Sequence, residues 1–286
     1  MRIATRGAEL RLRGRRFVWG ERTYLMGIVN ASPDSFSGDG LADPELAAAR
    51  ALEEVRLGAD IVDIGSESTR PGHTPITALE EMHRLVPVVE RVRELAPDAA
   101  ISIDTFKPEV FRAAHAAGGD ILNSIWGLDD ALLETVRECA VPVVIMHNKR
   151  LALYEGDVVD EVLAYLERQA VRAMRAGIPP EHIVLDPGIG FGKLPDHNLA
   201  VLGALDRLVA LGFPTLLGVS RKSTIGLLTG KPVGARAFGT AAAVALAIGA
   251  GIDIVRVHDV AEMHDVVAVA DAIARGRRPE DWNRAR

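Results

Sequence analysis

Cysteine is nearly absent from this sequence, with Cys139 alone among 286 residues. A single thiol excludes an internal disulfide and any cysteine cluster for metal, and it fits a reducing compartment. An excess of positive charge is also missing. Thirty-three Lys and Arg stand against 39 Asp and Glu, for a formal net charge of -6, so neither nucleic acid nor an anionic membrane is expected as a partner. An anionic substrate would have to meet a local cationic pocket set in an acidic surface. Targeting and spanning segments are lacking as well. The Arg-rich start, MRIATRGAELRLRGRRFVWG, contains no apolar stretch of the secretory kind. The most apolar segment, GTAAAVALAIGAGIDIVRV, is mostly alanine broken by glycine, which suits a buried helix running into a strand. A cytoplasmic protein is expected.

What is present is an ordinary globular composition, 48% apolar and 25% charged. Eight short β-rich runs recur along it: TYLMGIVN, ADIVDIGS, AAISIDT, DILNSI, VPVVIMH, HIVLDPG, PTLLGVS and DIVRVHD. Amphipathic helical segments lie between them, such as PELAAARALEEVRLG and VVDEVLAYLERQAVRAMRAG, several ending at glycine. Strand–helix alternation makes a parallel sheet, and eight repeats in this length make an α/β fold of the (β/α)8 TIM-barrel type. A doubly wound open sheet is the alternative, but GIVNASPDSFSGDG is a poor dinucleotide fingerprint. The whole chain, 1–286, is expected to be one barrel domain, with alternating apolar and charged residues making a small N-terminal hairpin over about 8–22.

The ends of these strands are polar: Asn30, Asp63 with Glu67, Asp104, Asn123, His147, Asp186, Ser220 with Arg221 and Lys222, and Arg256 with His258. In a barrel these ends converge on one face, where barrel enzymes place their sites. Taken singly, each could merely cap the next helix. Asp104, Asn123 and Asp186 supply acceptors and an amide suited to a flat heterocycle bearing N–H donors. Arg70, Arg221, Lys222, Arg256 and His258 supply donors suited to phosphate or carboxylate. Asn30 offers a neutral oxygen that could complete the shell of a Mg2+ held mainly by ligand phosphates and water. In IVLDPGIGFGK, at 183–193, Asp186 precedes three glycines, a backbone bare enough for a ligand to approach closely. Two loops, NASPDSFSGDG and SESTRPGHTP, look able to close over a ligand.

Six segments carry a resemblance: MGIVNASPDSFSGDG, GADIVDIGSESTRPG, ISIDTFKPEV, IVLDPGIGFGK, GVSRKSTIG and IVRVHDV, spanning about residues 24–260. In order and content the chain resembles the dihydropteroate synthase family, pterin-binding barrel enzymes. The resemblance implies a transferase that condenses 6-hydroxymethyl-7,8-dihydropterin diphosphate with 4-aminobenzoate, giving 7,8-dihydropteroate and pyrophosphate. It further implies a Mg2+ cofactor and a homodimer. Carried over by position, it makes Asp104, Asn123, Asp186 and Lys222 the pterin set, with Met146 a further substrate contact. Asn30 would hold the Mg2+, and Arg256 and His258 the diphosphate. Thr69, Arg70 and Pro71 would meet the diphosphate side and the aminobenzoate. Phe191 and Ser220 would line the aminobenzoate pocket, which Asp34 and Phe36 complete on closure. Asp104, Lys222 and Asp34 are the implied catalytic groups.

Two departures from the family pattern stand out. The fourth strand usually ends Asn-Asp, whereas Asn123 is followed here by Ser124, and MHNKRLALYEG replaces a common Met-His-Met-Arg-Gly run. They leave open a pterin-binding paralogue without the synthase reaction. A protein like the methyltetrahydrofolate:corrinoid methyltransferases is a further alternative, but the full loops and the SRK and RVHD segments count against it.

Overall fold

The computed structural model describes residues 6–32, 41, 43–67, 75–278 and 282. Among the described residues ten strands run β1 Glu9–Leu12, β2 Arg15–Val18, β3 Tyr24–Asn30, β4 Ile61–Gly65, β5 Ala100–Asp104, β6 Ile121–Ser124, β7 Val143–Met146, β8 Ile183–Asp186, β9 Leu216–Leu217 and β10 Ile254–Val257. The helices are α1 Pro44–Arg56, α2 Ala78–Leu95, α3 Pro108–Ala116, α4 Asp130–Cys139, α5 Val158–Arg175, α6 Pro195–Gly203, α7 Leu205–Val209, α8 Ser223–Thr229, α9 Ala237–Ala250 and α10 Val260–Ala274. Short polar side chains start several of them: Asp43, Thr77, Asp129 and Asp157 each accept from a backbone N–H of the first turn.

Strands β3 to β10 form one parallel sheet in the order β8-β7-β6-β5-β4-β3-β10-β9. Its two edges meet through a parallel bridge between Leu185 and Thr215, and Leu185 N–H donates to Pro214 O at 2.9 Å. The sheet therefore closes into the expected (β/α)8 barrel, and the open doubly wound alternative falls away. All eight expected runs are strands. The seventh is the shortest, with ladder pairing over Leu216–Leu217 alone, because the chain turns at Val219–Lys222 and Arg221 adopts φ +57°. Among the described residues no helix is long and apolar enough to cross a membrane.

The hairpin is present as β1 and β2, joined at Arg13 and Gly14, both with positive φ, as the twist of a two-residue hairpin demands. It plugs the bottom of the barrel, where the strands begin. Alternate residues of a strand face opposite ways, and two apolar clusters follow from that. Outward-facing Val62, Ile64, Ile101, Ile103, Val143, Ile145 and Leu185 pack against the helices. Inward-facing Met26, Ile61, Ala100, Ile121, Val144, Val184, Leu216 and Ile254 pack against Leu10 and Phe17 of the hairpin and against Trp19 and Tyr24. The ring centroids of Phe17 and Tyr24 are 4.9 Å apart, and those of Trp19 and Tyr24 5.8 Å.

Candidate active site

One step above that apolar layer the inward positions turn polar. Asp63 stands directly after Ile61 on the inward face of β4 and is fully buried. Its carboxylate accepts from Ser102 Oγ at 2.5 Å, Asn123 Nδ2 at 3.0 Å and Arg256 Nε at 2.6 Å. Arg256 Nη2 also donates to Asp104 Oδ2 at 2.8 Å. Four strands, β4, β5, β6 and β10, are thus joined across the barrel interior by one charged cluster. Burial raises the Asp104 carboxyl to about 7, with Asp63, Glu81 and Asp186 adding to the rise and Arg256 opposing it.

Asp186 closes the ring on the other side. It ends β8 opposite Met146 of β7, and its Oδ1 accepts from Gly188 N–H at 2.7 Å. Burial raises its carboxyl too, against the pull of Lys222. Lys222 donates to Ile189 O, and its ammonium lies 4.5 Å from the Phe191 ring centre. Burial lowers it to about 8, Asp186 opposing the shift. Gly218 locates the meeting point. A Cβ there would sit 3.9 Å from Asp186 Oδ2, 3.9 Å from Lys222 Nζ and 4.0 Å from Arg256 Cβ. The Asp186 carboxylate, the Lys222 ammonium and the stem of Arg256 thus converge over a residue with no side chain.

The glycines after Asp186 correct an expectation. They are bare towards the protein itself. A Cβ on Gly188 would lie 2.0 Å from His147 O, and one on Gly192 2.3 Å from Lys149 O, with φ at +68° and +56°. Gly190 faces the Lys222 side chain, at 3.1 Å from its Cδ. The loop is glycine-rich because it packs on the backbone that follows β7.

Ser220 and His258 come together, with Ser220 Oγ 2.9 Å from His258 Nδ1 and accepting from His258 N–H at 3.2 Å. This pair ties the short β9 to β10. Arg221, counted among the donors, pairs with Asp259 (Nε–Oδ2 3.1 Å), and Glu67 pairs with Lys107 at 2.7 Å. Asn30 ends β3 beside Gly65 of β4. Asp34, Phe36, Thr69, Arg70 and Pro71 lie outside the described residues.

The family description "Pterin binding enzyme" matches residues 26–258. A dihydropteroate synthase of Bacillus subtilis is 44% identical over 243 residues, covering 84% of this chain and 84% of that protein. A solved structure of Xanthomonas albilineans dihydropteroate synthase with 4-aminobenzoic acid superposes with a TM-score of 0.87 at 41% identity, covering 96% of this chain and all of that one. The same enzyme in complex with 7,8-dihydropteroate gives 0.84 at 40% identity, with 95% and 100% covered. The chain belongs to the dihydropteroate synthase family.

Within that family, Asn123, Asp104 and Asp186 stand on three different strand ends, Lys222 stands at the start of α8, and the four face one space. Met146 is buried beside them. The departure at Ser124 has a local explanation. Ser124 faces away from Asn123, is fully buried, and donates from Oγ to Gly127 O at 2.6 Å, holding the turn after β6. A carboxylate missing at position 124 is therefore missing from the outside of the barrel wall. Asp63 is legible in the sequence only as one polar strand end among many and Ser102 not at all, yet they anchor the cluster. The available signal was a carboxylate inside the apolar run IVDIG, where an ionised group must find a partner. Lys193 was passed over as well. Its ammonium contacts His147, Gly188 and Phe191, and burial lowers it to about 7.

Proposed function

We propose that this chain condenses 6-hydroxymethyl-7,8-dihydropterin diphosphate with 4-aminobenzoate, releasing pyrophosphate and making 7,8-dihydropteroate. The observation that carries it is the convergence of Asp186, Lys222 and Arg256 at Gly218, above the Asp63–Asn123–Asp104 cluster. Asp186 accepts from the pterin's amino and ring N–H edge, with Asn123 and Met146 lining the same floor. Asp104 faces the methylene carbon, where positive character develops as diphosphate departs, so the aniline nitrogen needs no strong base. Phe191 and Ser220 line the aminobenzoate side. Against a non-catalytic paralogue stands the outward, structural place of Ser124. Incubating the pure protein with the pterin diphosphate and 4-aminobenzoate, and assaying dihydropteroate, tests the reading; absence of product under saturating substrates would refute it.

Mg2+ belongs to this proposal. Among the described residues no cluster of three His, Cys, Asp or Glu is placed to cage an ion. The chemistry that fits is therefore a cation held mainly by diphosphate oxygens and water, with Asn30 adding one oxygen, which would supply charge neutralisation for the leaving group. Pyrophosphate with Mg2+ should then strengthen aminobenzoate binding, and Asn30→Ala should weaken the effect. Arg256→Ala is a poorer probe, because it strips the counter-charge from two carboxylates at once. An aminobenzoate affinity that ignores pyrophosphate in the wild type would count against the diphosphate site.

The homodimer has support in α9 and α10. Phe238, Leu246, Val269 and Ile273 of these helices are 92%, 77%, 62% and 81% exposed, and Val269 and Ile273 line an apolar groove with Ala241, Ala245 and Val266. Continuous apolar surface of this kind marks an interface, and a second copy of the same face is the occupant proposed. Leu246→Glu should give monomers in sedimentation analysis. A cytoplasmic location, which the single thiol suits, belongs to the same proposal.

A further inference from the structure

Lys193 follows the glycine loop and has no role in the reaction described above. Its Nζ lies 2.9 Å from His147 Nδ1, 3.0 Å from Gly188 O and 3.2 Å from Phe191 O. A lysine ammonium has three N–H donors, and three acceptors use them all. His147 is suited to accept. It is buried, its ring lies 6.2 Å from Tyr154 in a stacked arrangement, and Tyr165 meets it edge-on at 5.1 Å. Burial, with Lys193 and Lys149 nearby, pushes the imidazole down to about 3, so it stays neutral. A second tie runs beside the first, from the Tyr154 hydroxyl to Gly192 O at 2.8 Å. Lys193, seated on His147, and Tyr154 thus hold three carbonyls of the Gly188–Gly192 turn.

That turn packs against Lys222. Ile189 O accepts from Lys222, and the Phe191 ring lies beneath its ammonium. Asp186 belongs to strand β8 and is fixed by the sheet as well as by Gly188 N–H. We propose that Lys193 is a positioning residue for the aminobenzoate half of the site: held by His147, it fixes the turn that carries the Phe191 ring, while Asp104, Asn123 and Asp186 of the pterin set are carried by strands and Lys222 by the start of α8. The proposal rests on the synthase reading.

Lys193→Met keeps the stem and removes the donors. Steady-state kinetics should show KM for 4-aminobenzoate raised about tenfold, the effect of one lost charged hydrogen bond, with KM for the pterin diphosphate and kcat each within about threefold of wild type. Lys193→Arg should recover part of the loss, since it still donates to carbonyls. Tyr154→Phe loses a single hydroxyl from a conservative position and should raise aminobenzoate KM by about threefold. Equal rises in both KM values, or a fall in kcat alone, would overturn the proposal. Should Lys193→Met fail to fold, Tyr154→Phe decides, and an unchanged aminobenzoate KM there overturns it too. An inactive wild-type protein would instead sink the synthase reading.

Discussion

At the bottom of the barrel, Asp60, Asp120 and Asp253 each stand one residue before a strand, and the chain itself uses their carboxylates. Asp60 takes Arg22 at 2.8 Å and Leu25 N–H at 2.9 Å; Asp120 takes Arg13 and Arg93, each at 2.7 Å, and Ile101 N–H at 2.9 Å. Asp253 takes Gly20 N–H and Thr215 N–H, each at 3.0 Å. At the top, Asp186 takes one such bond among the described residues, from Gly188 N–H, and shares its surroundings with Lys222 and Arg256. The same residue type is a clamp at one end and a receptor at the other. What differs is how many of its lone pairs the fold already satisfies, and whether a hairpin covers it.

The largest effect is expected where the two behaviours meet, at Asp63. It is fully buried like the lower clamps but partners Arg256 in the upper cluster. Asp63→Ala leaves Arg256 with one carboxylate and frees the Asn123 amide, and breaking a buried pair costs about 3–5 kcal/mol. Denaturant unfolding should show that loss, and the folded remainder should be inactive. Retained activity would mean that Asn123 and Arg256 need no support from below.

Trp19→Ala should separate the ends. Its ring fills the plug beside Phe17 and Tyr24, and its Nε1–H donates to Glu181 O at 3.0 Å. Large-to-small changes of this kind cost about 3–5 kcal/mol. Below the shifted melting point, kcat/KM should match wild type, and a large fall there would show that the plug shapes the site. Asp186→Asn is the converse. A donor facing a donor costs about 1–3 kcal/mol or more with charge involved, so calorimetry should show pterin affinity lost with little change in unfolding free energy. Unchanged affinity would remove Asp186 from the site.

The legible and illegible parts of this molecule divide along the same line. Eight strands and their inward tips could be read from runs such as ISIDT and IVRVHD, because a period of two needs no tertiary knowledge. The hairpin followed from alternation around Gly14. Asp63 was harder, since its importance lies in contacts with residues 39, 60 and 193 positions away, which no local pattern encodes. The glycines of IVLDPGIGFGK are ambiguous in the sequence for a related reason. Sequence says that something comes close to Gly188 and Gly192, and only the packing reveals that it is the backbone at His147 and Lys149.

The smallest expected effect concerns pH. Burial holds the Asp104 carboxyl at about 7 against an ordinary 3.8, so between those values the folded state binds more protons than the unfolded one. Its contribution to stability is full below the unfolded value and is lost as pH rises through about 7. Lys222 is lowered to about 8 from 10.5, so the folded state binds fewer protons over that range, and its contribution is full above the unfolded value and lost as pH falls through about 8. Glu54, raised to about 7, adds to the first trend, and Lys193, lowered to about 7, to the second. Stability should therefore dip between about 7 and 8. The same window holds Asp104 as carboxylate and Lys222 as ammonium, the forms the proposed reaction uses, so kcat/KM should peak where stability dips. Unfolding free energies from acid to alkaline pH, beside the rate profile, test this. Asp104→Asn should flatten the acid side of the dip and Lys222→Met the alkaline side, while Trp19→Ala lowers the whole curve without changing its shape. A dip of undiminished depth in both upper variants would show that these two groups do not set it.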